Sequence, residues 1–170
     1  TEDMLQVARM QSGQENFILA YEDVYELCEQ IVEEFELQEP HRDRIQFESE
    51  KSTMFGFVDV QLLRQTIGNL LHNALKYSDR STPVSLTLGS CRDEIVITFK
   101  DVGTWIPQLD MPRLLEPFHR AKNVGAISGT GLGLSIAKRA VDAHKGSISV
   151  DTKEGEGTTF TVRIPKTKSD

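Results

Sequence analysis

Cysteine is nearly absent: the 170 residues contain only Cys28 and Cys91, in no metal-ligand spacing. That argues against a disulfide framework or a structural zinc site and fits a reducing, cytoplasmic compartment, with both thiols buried or inert. An excess of basic residues is missing too. The 19 Lys and Arg are outnumbered by 26 Asp and Glu, for a formal net charge of -7, so the chain lacks the basic face with which nucleic-acid and anionic-membrane binders neutralise phosphates. Any phosphate bound here has to be held locally. No apolar run approaches the length of a membrane span, and the first residues lack the basic-then-apolar order of a signal peptide, so no membrane contact is expected of this stretch. What is present, 38% hydrophobic and 26% charged residues, suits one well-cored globular domain.

The chain is organised around Ser128-Gly129-Thr130-Gly131-Leu132-Gly133-Leu134-Ser135, a glycine-rich turn that runs into the helical pattern of Ile136, Ala137, Ala140, Val141 and Ala143. Glycines at alternate positions before a helix allow close backbone approach to a ligand and leave N–H groups unpaired at the positive end of the helix dipole, an anion-binding arrangement. The same glycines would also suit a plain flexible turn. Two common phosphate loops are excluded: no Gly-Lys-Ser/Thr follows, as a Walker A loop needs, and Leu134 replaces the last small residue of a dinucleotide fingerprint.

Upstream, Leu5 and Ala8 sit in a helical pattern that stops at Gly13 and reads as the end of a longer helix. From Glu22 to Leu37, Val24, Leu27, Cys28, Ile31, Val32 and Phe35 recur at helical spacing with acids on the other face, and Pro40 ends the pattern. Ile45–Phe47 and Met54–Val58 read as short strands around a polar turn. A second helix, from about Val60 to Tyr77, has Leu63, Ile67, Leu70, Leu71 and Ala74 as its core stripe. Val84–Leu88 and Ile95–Phe99 form a hairpin that ends at Asp101-Val102-Gly103, and Ser147–Asp151 and Thr158–Ile164 close the chain as two strands. Between them, 104–128 has little periodicity and carries Pro107, Pro112 and Pro117, as lids and binding loops do.

Chemistry gathers on the second helix. Asn69 and Asn73 are one turn apart, with Lys76 and Tyr77 one turn further on, so all four project from one side beside the core stripe. Asparagine is a mediocre helix former, and the pair could be ordinary solvent-facing residues. In the sharper reading a carboxamide oxygen ligates Mg2+, Lys76 meets phosphate and Tyr77 packs on a base. Asp101 could be a turn residue; as a fixed carboxylate it would accept from the exocyclic amine of adenine, where guanine presents a repelling carbonyl.

Asn69-Leu70-Leu71-His72-Asn73-Ala74-Leu75-Lys76-Tyr77, then Asp101-Val102-Gly103, then Glu116-Pro117-Phe118-His119-Arg120, then Gly129-Thr130-Gly131-Leu132-Gly133-Leu134 resemble, in that order, the N, G1, F and G2 boxes of the catalytic domain of bacterial-type sensor histidine kinases. The resemblance implies an α/β (α+β) sandwich of Bergerat type: a mixed β-sheet covered on one face by helices, with ATP under a lid. It implies residues 1–13 as the end of a dimerisation and phosphoacceptor helix, 14–165 as the ATP-binding domain and 166–170 as a polar tail. By the same resemblance Asn73 holds Mg2+, Lys76 and Arg120 meet the phosphates, and Tyr77 contacts the base. Asp101 binds the adenine amine beside Gly103, and Gly129, Thr130, Gly131, Leu132 and Gly133 wrap the phosphates. Asn69 and Thr158 line the pocket.

The implied activity is transfer of the γ-phosphoryl group of ATP to a histidine on a separate helical domain, with a response regulator receiver domain as the downstream partner. None of His41, His72, His119 or His144 has the acceptor context of the family, so each reads as a surface or packing residue. Related ATPases place a glutamate where Asn69 stands, which weighs against rapid hydrolysis. The G1 box departs from the family at Trp105, the only tryptophan, where a second glycine is usual. A degenerate docking module and a related ATPase remain the alternatives.

Overall fold

A computed structural model describes residues 17–38, 41–103 and 133–167. Strand β1 (Ala20–Asp23) leads directly into helix α1 (Val24–Glu36), and β2 (Ile45–Ser49) and β3 (Phe55–Val58) follow. Helix α2 (Val60–Tyr77) precedes β4 (Val84–Cys91) and β5 (Glu94–Asp101); helix α3 (Gly133–Ala143), β6 (Ser147–Lys153) and β7 (Gly157–Pro165) complete the order. Five strands form a mixed sheet in the order β2-β4-β5-β7-β6, parallel only between β2 and β4, while β1 and β3 make a separate antiparallel pair.

Strand alternation puts the apolar residues on one side of this sheet. Leu86 faces Phe99, Leu88 faces Ile97, Ile97 faces Val162 and Phe99 faces Phe160, all of them buried. Against that face α1 packs on β2, α2 on β4 and β5, and α3 on β6 and β7, with α2 and α3 side by side. The opposite face carries Thr87, Thr98, Lys100, Thr159, Thr161 and Arg163, which are half-buried to exposed. The expected mixed sheet with helices on one face is therefore the observed architecture.

Both long helices are capped by an aspartate at the strand-to-helix junction. Asp23 accepts from the backbone N–H of Tyr25 at 3.0 Å and of Met54 at 2.8 Å. Asp59 accepts from Leu62 N–H at 3.1 Å and from Ile18 N–H at 2.9 Å; such caps satisfy N–H groups that the helix itself cannot. His144, at the end of α3, joins this junction: its Nε2 accepts from Asp59 N–H at 2.9 Å, and its Nδ1 lies 2.7 Å from the Ala140 carbonyl. Since Nε2 accepts, the proton is on Nδ1 and the imidazole is neutral, and burial lowers its pKa.

Two expectations need revising, on the start of α1 and on the cysteines. Glu22 and Asp23 belong to β1 rather than to the helix, because Asp23 is the extended N-cap residue and pairs across to Phe55. The two short strands are both present, as Ile45–Ser49 and Phe55–Val58, and lie in different sheets, since β2 is drawn to β4 and β3 to β1. Cys28 is buried, its thiol pushed up to about 12, whereas Cys91 sits exposed at the end of β4.

Candidate functional site

The site is built along α2, whose rotation is set by its core side. Leu63, Ile67, Leu70, Leu71, Ala74 and Leu75 are buried, and each large side chain contributes roughly 1.5–3 kcal/mol by leaving water. With that stripe fixed against β4 and β5, Asn69, Asn73, Lys76 and Tyr77 fall at half-buried positions, on the margin between core and solvent. His72 is exposed.

One end of the site lies where α3 begins. A Cβ placed on Gly133 would stand 3.8 Å from Asn69 Cβ and Cγ and 3.9 Å from its Oδ1, so the first turn of α3, the positive end of its dipole, abuts the Asn69 side chain. Gly133, the first residue of α3, thus stands beside the Asn69 turn of α2.

The other end lies about 12 Å along the helix axis at Tyr77. Here β5 runs out against the last turn of α2: a Cβ on Gly103 would come within 2.5 Å of the Tyr77 carbonyl oxygen and closer still to Ser78 Cα. Only glycine fits that approach. Asp101 continues the inward-facing positions of Ile95, Ile97 and Phe99 and is itself buried. It is opposite Thr158 in β7. Its carboxylate accepts from Gly103 N–H at 2.9 Å and from the Thr158 backbone. Burial nevertheless dominates and pushes its pKa up to about 6, so at neutral pH an ionised carboxylate sits in a desolvated position, held ready for a donor.

Thr158 is buried, with its hydroxyl 3.1 Å from that of Thr152. Gly157, at φ 94°, lies so close to the Asp101 carbonyl that any side chain would collide with it. The Lys76 ammonium stands 5.6 Å from the centre of the Tyr77 ring, within cation–π range. Among the described residues no three His, Cys, Asp or Glu side chains converge as a metal site. The oxygen donor that α2 offers a hard cation beside the α3 N-terminus is a neutral carboxamide, so phosphate and water would have to complete an octahedral shell.

The structure thus brings Asn69 to Gly133, and the Tyr77 backbone to Gly103, which is bonded to Asp101 and through it to Thr158, with Asn73 and Lys76 between the two ends on one helix. Arg120, Gly129, Thr130, Gly131, Leu132, His119 and Trp105 lie outside the described residues. Sequence reading missed the close packing of Gly157 on Asp101, although the Glu154-Gly155-Glu156-Gly157 turn was visible. It also missed Arg44, a buried arginine that donates to the Leu75 carbonyl and Ser78 Oγ on either side of Tyr77, for which no local motif exists. Among the described residues no helix is long and apolar enough to cross a membrane.

Residues 58–168 match the model of a family described as histidine kinase-, DNA gyrase B-, and HSP90-like ATPase. The chain is 32% identical over 168 residues to sensor histidine kinase WalK of Bacillus subtilis, covering 96% of this chain and 27% of that protein. It is 35% identical over 130 residues to YkoH of the same organism, covering 75% and 28%. The chain therefore spans little more than a quarter of the length of these curated relatives. Among solved structures, the catalytic domain of histidine kinase ThkA superposes with a TM-score of 0.77 at 27% identity, covering 88% of this chain and 99% of that one. Full-length ShkA in complex with AMPPNP shares the fold at a TM-score of 0.82 and 24% identity, with 98% of this chain and 35% of that one covered.

Proposed function

Because this chain belongs to the histidine kinase-, DNA gyrase B- and HSP90-like ATPase family, we propose that it is the ATP-binding half of a sensor histidine kinase and passes the γ-phosphoryl group of ATP to a histidine on a separate helical domain of its parent. The observation that carries this reading is Asp101. Its desolvated carboxylate, fixed by two backbone N–H groups beside Tyr77 and Gly103, is an acceptor in want of a donor. The exocyclic amine of adenine supplies one, where guanine presents a carbonyl at the same ring position.

In this reading Tyr77 stacks on the base and Thr158 lines its pocket. Lys76 and Arg120 neutralise phosphate charge, Asn73 holds Mg2+ by its carboxamide oxygen, and Gly129, Thr130, Gly131, Leu132 and Gly133 present backbone N–H groups to the phosphates. Mg2+, when bound, supplies charge neutralisation at the transferring group. Phosphoryl transfer asks of the protein mainly positioning and electrostatic stabilisation, which these groups provide. Asn69 cannot take a proton from water at neutral pH, and this favours transfer over hydrolysis. The acceptor helices are the immediate partner and a response regulator receiver domain the next, and a domain that consumes ATP with Mg2+ as cofactor works in the cytoplasm.

The test is titration with ATP and GTP, with and without Mg2+, followed by mixing with the helical domain of the same parent and labelled ATP. Expected are Mg2+-dependent binding, preference for ATP, slow hydrolysis by the chain alone, and acid-labile label on the helical domain only. Binding without any label transfer would favour the docking-module alternative, and rapid release of inorganic phosphate the ATPase one.

A further inference from the structure

Helix α2 has an unusual end. It finishes at Tyr77, and Ser78, its C-cap, is extended at φ -100° and ψ 158°. No glycine follows to supply the left-handed residue that caps many helices, so its last carbonyls need partners from elsewhere. They find one in Arg44, which is 34 residues from Ser78 in sequence and only 8% exposed. Nη1 donates to the Leu75 carbonyl at 3.3 Å, and Nη2 to Ser78 Oγ at 2.7 Å, the Asp79 carbonyl at 2.8 Å and the Thr82 carbonyl at 3.4 Å. The backbone of Arg44 is fixed as well, its carbonyl accepting from Val84 N–H at 2.8 Å at the start of β4. A cation at a helix C-terminus also opposes the negative end of the dipole.

We propose that Arg44 is a positioning residue for the base end of the nucleotide site, an inference that rests on reading Tyr77, Gly103 and Asp101 as that end. Ser78 is the link. On one side its hydroxyl takes the shortest of the Arg44 bonds; on the other its Cα is the atom against which Gly103 is pressed. The planar guanidinium fork holds the whole 78–82 connection from behind and so sets where Tyr77 and Ser78 stand relative to the end of β5. An ammonium in its place cannot span the Leu75, Ser78, Asp79 and Thr82 acceptors at once. Nη1 and Nη2 are committed to this one segment, at the opposite end of α2 from Asn69 and Gly133, and Arg44 is buried.

The experiment uses the 170-residue chain and its Arg44→Met, Arg44→Lys and Ser78→Ala variants. Dissociation constants for ATP, ADP and adenosine are measured with Mg2+ by calorimetry, at a temperature where circular dichroism shows each variant folded. Arg44→Met is expected to weaken all three ligands by a similar factor, roughly tenfold, leaving the ratio of ATP to adenosine affinity as in the wild type. Arg44→Lys should fall between, and Ser78→Ala should shift the same way by less. A lowered melting temperature with unchanged dissociation constants would overturn the proposal, leaving Arg44 a structural arginine. A loss confined to ATP would overturn it in favour of a phosphate role. Should Arg44→Met fail to fold, unchanged affinities in Arg44→Lys and Ser78→Ala have the same force. A wild-type chain that binds none of the three ligands would instead bring down the functional reading on which the inference stands.

Discussion

Replacing Asp101 by asparagine should make the protein more stable and worse at binding ATP. Burial pushes the carboxyl from 3.8 up to about 6, so the folded state disfavours its ionised form. At about 1.4 kcal/mol per pH unit, the ionised carboxylate costs the ligand-free fold roughly 2–3 kcal/mol above pH 7. An amide of the same shape carries no charge, and its oxygen can keep the bond from Gly103 N–H, now 2.9 Å long. For a domain of this size each kcal/mol shifts the melting temperature by about 2–4 °C, so Asp101→Asn is expected to melt roughly 5–10 °C higher at pH 7.5. The sign follows from linkage: a group whose folded pKa is raised contributes stability that is complete below its unfolded pKa and is lost as pH rises through the folded value. The gap between variant and wild type should therefore open as pH rises through about 6 and close towards pH 4. ATP affinity should fall by roughly tenfold or more, since a hydrogen bond to a charged acceptor is worth about 1.5–3 kcal/mol, and preference over GTP should shrink. The assay is thermal melting from pH 4 to pH 8 with and without ATP and Mg2+. A variant that melts no higher than the wild type at pH 7.5, or a gap independent of pH, would refute the reasoning.

Asn73→Ala should lose the Mg2+-dependent part of ATP binding while leaving adenosine affinity unchanged, as measured by titration with and without the metal; equal ATP affinity in the mutant would remove Asn73 from the metal. Gly103→Ala should destabilise by more than about 2 kcal/mol and weaken nucleotide binding, because its Cβ meets backbone at Tyr77 and Ser78; a fully stable Gly103→Ala would mean that the end of β5 and the last turn of α2 are not in contact. His144, whose pKa burial lowers, contributes stability that is complete above about pH 6.5 and lost as pH falls below it. In an Asp101→Asn background, which removes the opposing carboxyl, His144→Gln should flatten the fall in melting temperature between pH 6.5 and pH 5, and an unchanged slope would count against the neutral imidazole.

The sequence exposed α2 almost residue for residue, because helical periodicity and the Asp59 cap are local signals and both point to the same boundaries. Asp101 was legible for a similar reason: it ends an alternating run, and period two alone puts it on the face of Phe99. Strand partners were not legible at Ile45 and Phe55, since pairing depends on distant β4 and β1, and nothing within the intervening turn records that. Nor does any periodicity reveal Arg44, which in sequence sits in an ordinary charged turn and becomes buried only when the end of α2, formed by residues far along the chain, needs a donor. His144 read as a packing residue, as it is, but its partnership with Asp59 spans 85 positions. Local chemistry was readable, and contacts made by tertiary folding were not.

Helix α2 also sets what kinds of change the chain can absorb over evolutionary time. The proposed metal and base positions are spaced along one continuous helix, with Asn69 beside Gly133 and Tyr77 beside Gly103. Adding or removing a single residue between them would swing every later side chain by about 100° and carry Tyr77 off the margin of the core. Point substitutions on the exposed side, as at His72, leave that alignment intact. Lineages descending from this sequence should accumulate replacements freely on the outer surface of the helix and show no length variation at all between Asn69 and Tyr77, however much the surrounding loops lengthen or contract.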